Sequence, residues 1–357
     1  MATIEKGKFS EELVNILKSL ALEWGDNLEE DIDRSLEISP LDGAGFLNKL
    51  YKIRWAISKE EYQSGDREVL VRIYGKGMEI FVNRKEEVAT FEWLSQQGEG
   101  PKLYGCLPNG RVEEFIRGRT LFPYELRIPE ISALVAAKVR KFHSLERPGP
   151  KHVIIWDRLR SWLSNAKKKC SHEHIMEFSL GNLEEEINSM ENILSTESQV
   201  IAFCHNDLHY GNMLFNETTQ SLTLIDYEFS GYNPIAYDFA NYFCEMASDY
   251  YSDTPHLMDF SKYPGLEERH NFIRMYLTSA GCEPSELEVE QLADDAEKYT
   301  LASHLIYGLW GIISVTNAKN DDSFDYVKHA RQRFEQYQLR RFKLFRAENL
   351  PMSENYD

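Results

Sequence analysis

The segment HNDLHYGN (residues 205–212) and, after the apolar run LTLI (222–225), the tripeptide DYE (226–228) decide the fold prediction. Three short apolar runs, VIAFC, NMLF and LTLI, alternate with these polar residues. Such runs predict short strands joined by loops, and loops on a rigid scaffold often carry chemistry. We expect LTLI to fold back on NMLF as a hairpin, which would bring Asp226 beside Asn212.

The polar residues of this stretch have the chemistry that phosphoryl transfer needs. A carboxylate must accept the proton of an attacking hydroxyl, and hard oxygen ligands must hold Mg²⁺ against nucleotide phosphates. Asp207 is the candidate base, and Asn212 and Asp226 are the candidate metal ligands. Their order is that of protein kinases, with HND in place of HRD and DYE in place of DFG. Two acidic surface loops are the alternative interpretation, but they would not require this order, spacing and intervening strand.

The first third of the chain shows strand patterns on either side of one helix. EVLVRIY (68–74) alternates between two faces, and RVEEFI (111–116) is a second short strand candidate. Residues 84–96 carry apolar side chains at helical spacing, and Gly100-Pro101 is a stop signal after them. This part of the chain is therefore predicted to be rich in β-structure.

From about residue 120 the pattern becomes mainly helical, with one apolar stripe along residues 129–145 and another along 183–194. A chain of 357 residues is long enough for two lobes, since one domain usually takes about 100–200. The sequence predicts an α+β, bilobal fold of the protein-kinase type. Residues 1–116 would form a small, β-rich, nucleotide-binding lobe, and residues 117–357 a larger, mainly helical lobe for catalysis and substrate binding.

Charge and composition exclude several classes of function. The net charge is −18, from 40 Lys and Arg against 58 Asp and Glu, so nucleic-acid binding is not expected. The most apolar run, residues 305–315, is too short to cross a bilayer, so no membrane insertion is expected. The N-terminus has no secretory signal pattern, and the five cysteines are scattered without a C-x-x-C pair. A cytoplasmic protein with reduced thiols is the resulting expectation.

With these motifs and others, the chain resembles the choline and ethanolamine kinases, most closely the plant-type choline kinases. The loop is FCHNDLHYGNMLF, followed by LIDYEFSGYNPIAYDFANYFCEM. Across residues 40–345 the resemblance extends in consistent order to VLVRIYG, NRKEE, GPKLYG, GRVEEFI, SDTPH, YPGLEER, GLWGIIS and ARQRFEQY. It implies an enzyme that uses ATP and Mg²⁺ to phosphorylate the hydroxyl of choline. The NPIAYDFANYFCEM stretch argues against aminoglycoside phosphotransferases, and the missing G-x-G-x-x-G, DFG and A-P-E sequences argue against protein kinases.

The resemblance implies a role for each matching residue of the catalytic centre. Asp207 is the catalytic base, and Asn212 and Asp226 hold Mg²⁺. Glu228 assists at the metal–phosphate centre.

It also implies a nucleotide site in the first lobe. Arg72, in VLVRIYG, occupies the place of the strand lysine of protein kinases and is assigned to catalysis as well as to the nucleotide. Glu87 on the following helix is its partner over the phosphates. Backbone groups supply further contacts: Glu114 and Ile116 at the adenine edge, and Gly43, Gly45 and Asn48 in a glycine-rich phosphate loop. This loop departs from the family pattern, since it is one residue longer and Leu47 replaces the usual Ser or Thr before Asn48.

The substrate pocket is implied by the same resemblance. Choline carries a quaternary ammonium with no N–H to donate, so a site can hold it only through cation–π contacts and the field of a carboxylate. The residues assigned to the pocket are Asp207, His209, Phe229, Glu245, Tyr250, Tyr307, Trp310 and Phe324.

Four positions depart from the family pattern and leave the choice of amine open. His209 replaces Gln, Phe229 replaces Tyr, Tyr307 replaces Trp, and His329 replaces Tyr. Tryptophan gives the best cation–π face, and protonated histidines would repel a cation. Choline is the expected substrate, with ethanolamine or a methylated ethanolamine as the alternative and an inactive binding protein on the kinase fold as a minor one. Because relatives are often dimers, a homodimer is a further expectation.

Overall fold

The computed structural model describes residues 4–5, 8–26, 28, 36–41, 48–55, 67–75, 77–281, 283–315 and 324–347. The chain divides into two compact units, Met1–Gly118 (unit 1) and Arg119–Asp357 (unit 2). The boundary predicted from the sequence lies between residues 116 and 117. The assignment of nucleotide binding to one lobe and catalysis to the other stays a prediction.

Unit 1 contains an antiparallel sheet whose strands, among the described residues, follow the order β3-β4-β5-β7-β6. These strands are β3 (Leu36–Leu41), β4 (Lys49–Trp55), β5 (Arg67–Ile73), β6 (Leu103–Leu107) and β7 (Gly110–Glu114). A separate antiparallel pair is formed by β1 (Ile4–Glu5) and β2 (Lys8–Phe9). In the sheet register, Arg72 stands between Leu50 on β4 and Arg111 on β7.

The helices described in unit 1 are α1 (Glu11–Glu23) and α2 (Arg84–Gln96), and α2 spans the residues that the sequence predicts. The side chain of Asn83 begins α2 by accepting the N–H of Lys85, which satisfies a backbone donor that the first turn cannot pair. Apolar side chains of α1 pack against inward-facing side chains of the sheet, and this cluster includes Leu13, Leu17, Ile53, Val69, Val71 and Val112.

Unit 2 is mainly helical. Its helices are α3 (Pro129–His143), α4 (Ile155–Lys169), α5 (His172–Glu177), α6 (Leu183–Leu194), α7 (Ile235–Glu245), α8 (Leu266–Thr278), α9 (Glu286–Ser314) and α10 (Tyr326–Ala347). Every residue of α7 is buried, and α9 contacts α4, α7, α8 and α10. The predicted apolar stripe along residues 183–194 is confirmed, because all four of its apolar side chains are buried on one face of α6.

Short strands interrupt this helical region. They are β8 (Arg119–Thr120), β9 (Ile201–Cys204), β10 (Met213–Asn216), β11 (Ser221–Leu224) and β12 (Gly231–Pro234). β9, β10 and β11 coincide with the predicted runs VIAFC, NMLF and LTLI, whereas β8 and β12 were not predicted. β10 and β11 form the predicted antiparallel hairpin, β8 pairs with the outer edge of β10, and β12 pairs with β9. The polar loops between these strands carry Asp207, Asn212, Asp226 and Glu228, whereas Arg72 lies on β5 of unit 1. Within the part of the chain that the structure describes, no helix has the length and hydropathy of a membrane span.

Candidate active site

The catalytic loop, residues 205–212, is anchored at its start by Asp238 of α7. This fully buried carboxylate accepts the backbone N–H groups of His205 at 2.8 Å and Asn206 at 2.6 Å. His143 of α3 donates from Nε2 to the same carboxylate at 2.9 Å. Three donors on one buried acceptor fix the direction in which the chain leaves β9.

Asn206 adopts a left-handed backbone conformation, with φ +65°, which an asparagine tolerates better than most residues. Its side-chain amide donates to the carbonyls of Phe229, at 2.9 Å, and Gly231, at 3.2 Å, and its amide oxygen accepts from Asn233 at 2.8 Å. The buried side chain of Asn206 is therefore bonded to residues 229–233, which follow Asp226. These bonds hold the left-handed turn that presents Asp207.

Asp207 is held at both carboxylate oxygens. The hydroxyl of Tyr307, on α9, donates to Oδ1 at 2.5 Å. The amide nitrogen of Asn212 donates to Oδ2 at 3.1 Å and to the Asp207 backbone carbonyl at 3.0 Å. Burial raises the pKa of Asp207, while the nearby His209 and the hydrogen bond from Tyr307 act against this rise. Since 16% of its side-chain surface stays exposed, the group is an accessible carboxylate with enhanced basicity.

The predicted hairpin is present, and it brings the backbone of Asn212 next to that of Ile225, the residue before Asp226. The N–H of Ile225 donates to the carbonyl of Asn212 at 3.0 Å, so Asp226 follows directly after a residue bonded to Asn212. Both hydrogen bonds of the Asn212 side chain to Asp207 use the amide nitrogen, so the amide oxygen is the atom suited to a cation. Asp226 is half-buried in a left-handed conformation, with φ +66°. An amide oxygen and a carboxylate are the hard ligands that Mg²⁺ prefers, so these residues fit the ion.

Glu228 and Phe229 lie in the single turn Tyr227–Phe229 that follows Asp226. Glu228 is half-buried. The ring of Phe229 packs edge-on against Trp162 of α4, with centroids 5.7 Å apart, and Arg158 of the same helix donates to the Phe229 carbonyl at 2.8 Å.

His209 lies between Asp207 and Tyr250. Its Nδ1 accepts the N–H of Gly211 at 3.1 Å, so in the neutral ring the proton is on Nε2, which is 3.8 Å from Oδ2 of Asp207. The His209 ring meets the ring of Tyr250 edge-on at 5.6 Å.

Glu245, the acid predicted for the ammonium, forms a buried ion pair with Arg333 of α10. The exposed fractions of the two side chains are 1% and 0%. Tyr250 donates its hydroxyl to the second carboxylate oxygen at 2.6 Å. Burial alone would raise the pKa of Glu245, but the charges of Arg333 and His209 and the hydrogen bonds from Tyr250 and Arg333 together outweigh burial, and the net shift is downward. Because the pair has no net charge, its attraction for a cation is weaker than that of a lone carboxylate.

An aromatic cluster surrounds Trp310, which is half-buried. Its ring meets those of Phe324, Tyr326 and His329 at 6.1, 5.4 and 6.0 Å. His329 accepts from Nε of Arg333 at 3.4 Å, which connects this cluster to Glu245. Burial lowers the pKa of His329 to about 3, so this histidine is neutral at physiological pH and does not repel a cation as a protonated ring would.

In unit 1, Arg72 and Glu87 belong to one cluster of buried charges. Arg72 is 5% exposed, and its Nε is 3.7 Å from Glu113. Arg111 pairs with both Glu113 and Glu87, and Arg84 pairs with Glu87 at 3.1 Å. The predicted direct pair of Arg72 with Glu87 stays a prediction; the contacts with Arg111 and Glu113 join the two residues through one network.

The remaining nucleotide residues are described in part. Asn48 accepts the N–H of Gly75 at 3.2 Å, which ties the start of β4 to the end of β5. The Glu114 N–H donates to the carbonyl of Lys102, so an adenine contact at this residue would use its carbonyl, and Ile116 follows the end of β7. Gly43 and Gly45 lie outside the described residues.

Comparisons with known proteins identify the family and the fold. The model of the choline/ethanolamine kinase family matches residues 38–338. The chain belongs to this family. A relative from Arabidopsis thaliana, probable choline kinase 3, is 52% identical over 334 residues, which are 94% of each chain. The family's probable ethanolamine kinase of the same plant is 31% identical, over 91% of this chain and 84% of its own length.

A solved structure of the family has the same fold. The crystal structure of choline kinase from Cryptosporidium parvum superposes with a TM-score of 0.75 at 27% identity, over 95% of this chain and 98% of the other. The predicted family, the α+β protein-kinase-like fold and the assignment as a kinase are confirmed. The roles of individual residues stay predictions.

The residues that support the site were not predicted from the sequence. Asp238, Asn206 and His143 hold the catalytic loop, and Arg333 neutralises Glu245. Asp238 lies within the NPIAYDFANYFCEM motif and Arg333 within ARQRFEQY, so both were inside quoted motifs. No local pattern distinguishes them, because their partners are distant in the sequence.

Proposed function

We propose that the chain is a choline kinase, which uses ATP and Mg²⁺ to convert choline to phosphocholine for phosphatidylcholine synthesis. The observation that carries the proposal is the accessible Asp207 carboxylate, which accepts a hydrogen bond from the Asn212 side chain. The backbone carbonyl of Asn212 in turn accepts the N–H of Ile225, the residue before Asp226. Family membership and the 52% identity to a probable choline kinase support it.

In the proposed reaction, Asp207 accepts the proton of the choline hydroxyl as the choline oxygen forms a bond to the γ-phosphorus of ATP. The bond from that phosphorus to the bridging oxygen breaks, and ADP leaves with the electron pair. The raised pKa of Asp207 suits it to this role. We assign Asn212 and Asp226 to Mg²⁺, which when bound neutralises phosphate charge, with Glu228 assisting beside them.

We assign the nucleotide to residues of unit 1, on the resemblance described above. Arg72 would contact the phosphates, and the network through Glu113, Arg111 and Glu87 supports its position. The carbonyl of Glu114 and the N–H of Ile116 would bind adenine, and Asn48 would follow the phosphate loop.

We assign the ammonium to the aromatic side chains of unit 2, with Trp310 as the principal cation–π surface because it is half-buried rather than sealed. Tyr250, Tyr307, Phe324 and Phe229 complete the proposed set. Since Arg333 neutralises Glu245, the net negative charge that attracts the cation comes mainly from Asp207. Glu245 would then act by holding Tyr250 in place, because it accepts a hydrogen bond from the Tyr250 hydroxyl.

Choline is favoured over ethanolamine by the relatives. Three probable choline kinases of Arabidopsis thaliana are 52%, 49% and 51% identical to this chain, against 31% for its probable ethanolamine kinase. The substitutions at residues 209, 229, 307 and 329 keep ethanolamine and its methylated forms as the second candidate. An inactive binding protein is disfavoured because Asp207, Asn212 and Asp226 are all present. A homodimer and a cytoplasmic location stay predictions.

The proposal is tested by incubating the purified full chain with ATP, Mg²⁺ and choline, ethanolamine or the methylated ethanolamines. We expect the highest kcat/KM with choline, and no measurable turnover by the Asp207→Ala and Asp226→Ala variants. Asp157→Ala is the matched control, because Asp157 is an exposed acid on α4. A higher kcat/KM with ethanolamine would show that ethanolamine, not choline, is the preferred substrate. No transfer to any of these alcohols would refute the proposed function.

A further inference from the structure

We propose that Tyr307 is a positioning residue for the catalytic carboxylate, and that its hydroxyl fixes Asp207 in the orientation that accepts the substrate proton. This role differs from that of an aromatic wall for the ammonium and rests on the proposed function. The carrying observation is the hydrogen bond of 2.5 Å from the Tyr307 hydroxyl to Oδ1. A second contact, at 3.4 Å, joins the same hydroxyl to the carbonyl of Asn206.

The geometry restrains the carboxylate from two sides. Tyr307 binds Oδ1 from α9, and Asn212 binds Oδ2 from within the catalytic loop. A carboxylate with a single donor can rotate about its last side-chain bond, whereas one donor on each oxygen prevents that rotation. Each carboxylate oxygen can accept more than one hydrogen bond, so Asp207 keeps the capacity to accept a substrate hydroxyl through its exposed surface.

Tyr307 is itself held in place. The residue is 9% exposed, and the guanidinium carbon of Arg333 lies 5.0 Å from the centre of its ring. Arg333 is fixed by its ion pair with Glu245. Burial and the neighbouring Asp207 charge raise the pKa of Tyr307 well above its ordinary value, so the hydroxyl remains a donor throughout the neutral range.

The contact with Arg333 also limits how the Tyr307 ring could contact the substrate ammonium. One face of the Tyr307 ring already lies against a guanidinium, so this face is not available to a substrate ammonium. The hydroxyl, in contrast, reaches the reacting carboxylate directly. The structure therefore favours an effect of Tyr307 on turnover over an effect on substrate affinity.

The experiment compares Tyr307→Phe with wild type in steady-state assays against choline and ATP. Phenylalanine keeps the ring and removes only the hydroxyl, so we expect kcat to fall about 10- to 100-fold, while KM for choline changes less than about twofold. Tyr299→Phe is the matched control: Tyr299 is buried on the same helix, and its hydroxyl binds Gln199 at 3.0 Å, away from the loop. Its kcat should equal that of wild type.

A second measurement separates positioning from a general effect on the fold. In an Asp207→Asn background, with residual turnover followed by radiolabelled ATP, the further change Tyr307→Phe should alter kcat by less than about twofold, because Tyr307 acts through Asp207. Equal losses in both backgrounds, a kcat of Tyr307→Phe within twofold of wild type, or a loss confined to KM would each overturn the inference. Inactivity of the wild-type protein towards every amino alcohol would instead refute the proposed function, which keeps the two failures distinct.

Discussion

Two carboxylates of unit 2, Asp207 and Glu245, belong to the same proposed site but have opposite surroundings. Asp207 keeps 16% of its side chain exposed and is bonded by two neutral donors, a hydroxyl and an amide. Glu245 is sealed, at 1% exposure, and is paired with a buried arginine. Burial raises the pKa of Asp207. Burial of Glu245 is outweighed by the combined effect of Arg333, His209 and the hydrogen bond from Tyr250, so the pKa of Glu245 lies below its ordinary value.

This difference gives Asp207 a chemical role and Glu245 a structural one. Neutral donors orient Asp207 without cancelling its charge, so it remains able to accept a proton. The arginine cancels the charge of Glu245 and makes it a fixed acceptor for Tyr250. A buried charge that has lost its partner is strongly unfavourable, so loss of Arg333 should lower the stability of the protein. Substitution of Asp207 should instead lower its activity.

The largest expected effect is on turnover. Asp207→Asn should lower kcat about 10³-fold, because an amide cannot accept the proton of the substrate hydroxyl. Glu245→Gln should lower kcat less than about 10-fold, because glutamine still accepts a hydrogen bond from Tyr250. Steady-state assays of both variants, with far-UV circular dichroism to verify folding, measure the difference. Equal losses would contradict the division of roles.

The next effect is on stability. Arg333→Met leaves the Glu245 carboxylate buried without its counter-charge and should lower the free energy of unfolding by about 3–5 kcal/mol. Arg331→Met is the matched control on the same helix, since Arg331 pairs with Glu177 where the two side chains are 48% and 32% exposed, and it should cost less than about 1 kcal/mol. Urea unfolding at neutral pH measures both. Adding Glu245→Gln to Arg333→Met should recover part of the loss, and a double variant less stable than Arg333→Met would argue against the buried pair.

The smallest expected effect is on the pH dependence of stability. The pKa of Glu245 is lowered on folding, so its contribution is complete above its ordinary value of 4.5 and is lost as the pH falls through the folded-state value. The pKa of Asp207 is raised, so its contribution has the opposite sign and decreases as the pH rises from its ordinary value of 3.8. Compared with wild type, the free energy of unfolding of Glu245→Gln should therefore fall less steeply as the pH is lowered, and that of Asp207→Asn should fall more steeply. Urea midpoints between pH 3 and pH 7 measure the two slopes, and slopes that change in the same direction would refute this comparison.

Much of the local structure was predictable because its causes are local. The spacing of apolar residues gave α2 and the buried stripe of α6, and the runs around the catalytic loop gave the β10–β11 hairpin that joins Asn212 to Asp226. The surroundings of Asp207 were not predictable in this way. Tyr307 is 100 residues away in the sequence, and its hydroxyl reaches Asp207 only because α9 packs beside the loop.

By itself the sequence determined the kinase motif, its order and the strand between its parts, because hydrophobic periodicity and residue chemistry are written along the chain. Only the tertiary structure decided which acids are free to react. The anchoring of the loop by Asp238 and the neutralisation of Glu245 by Arg333 join residues 32 and 88 positions apart. The charge state and basicity of a carboxylate depend on burial and on donors brought together by packing, and no residue type or spacing encodes these.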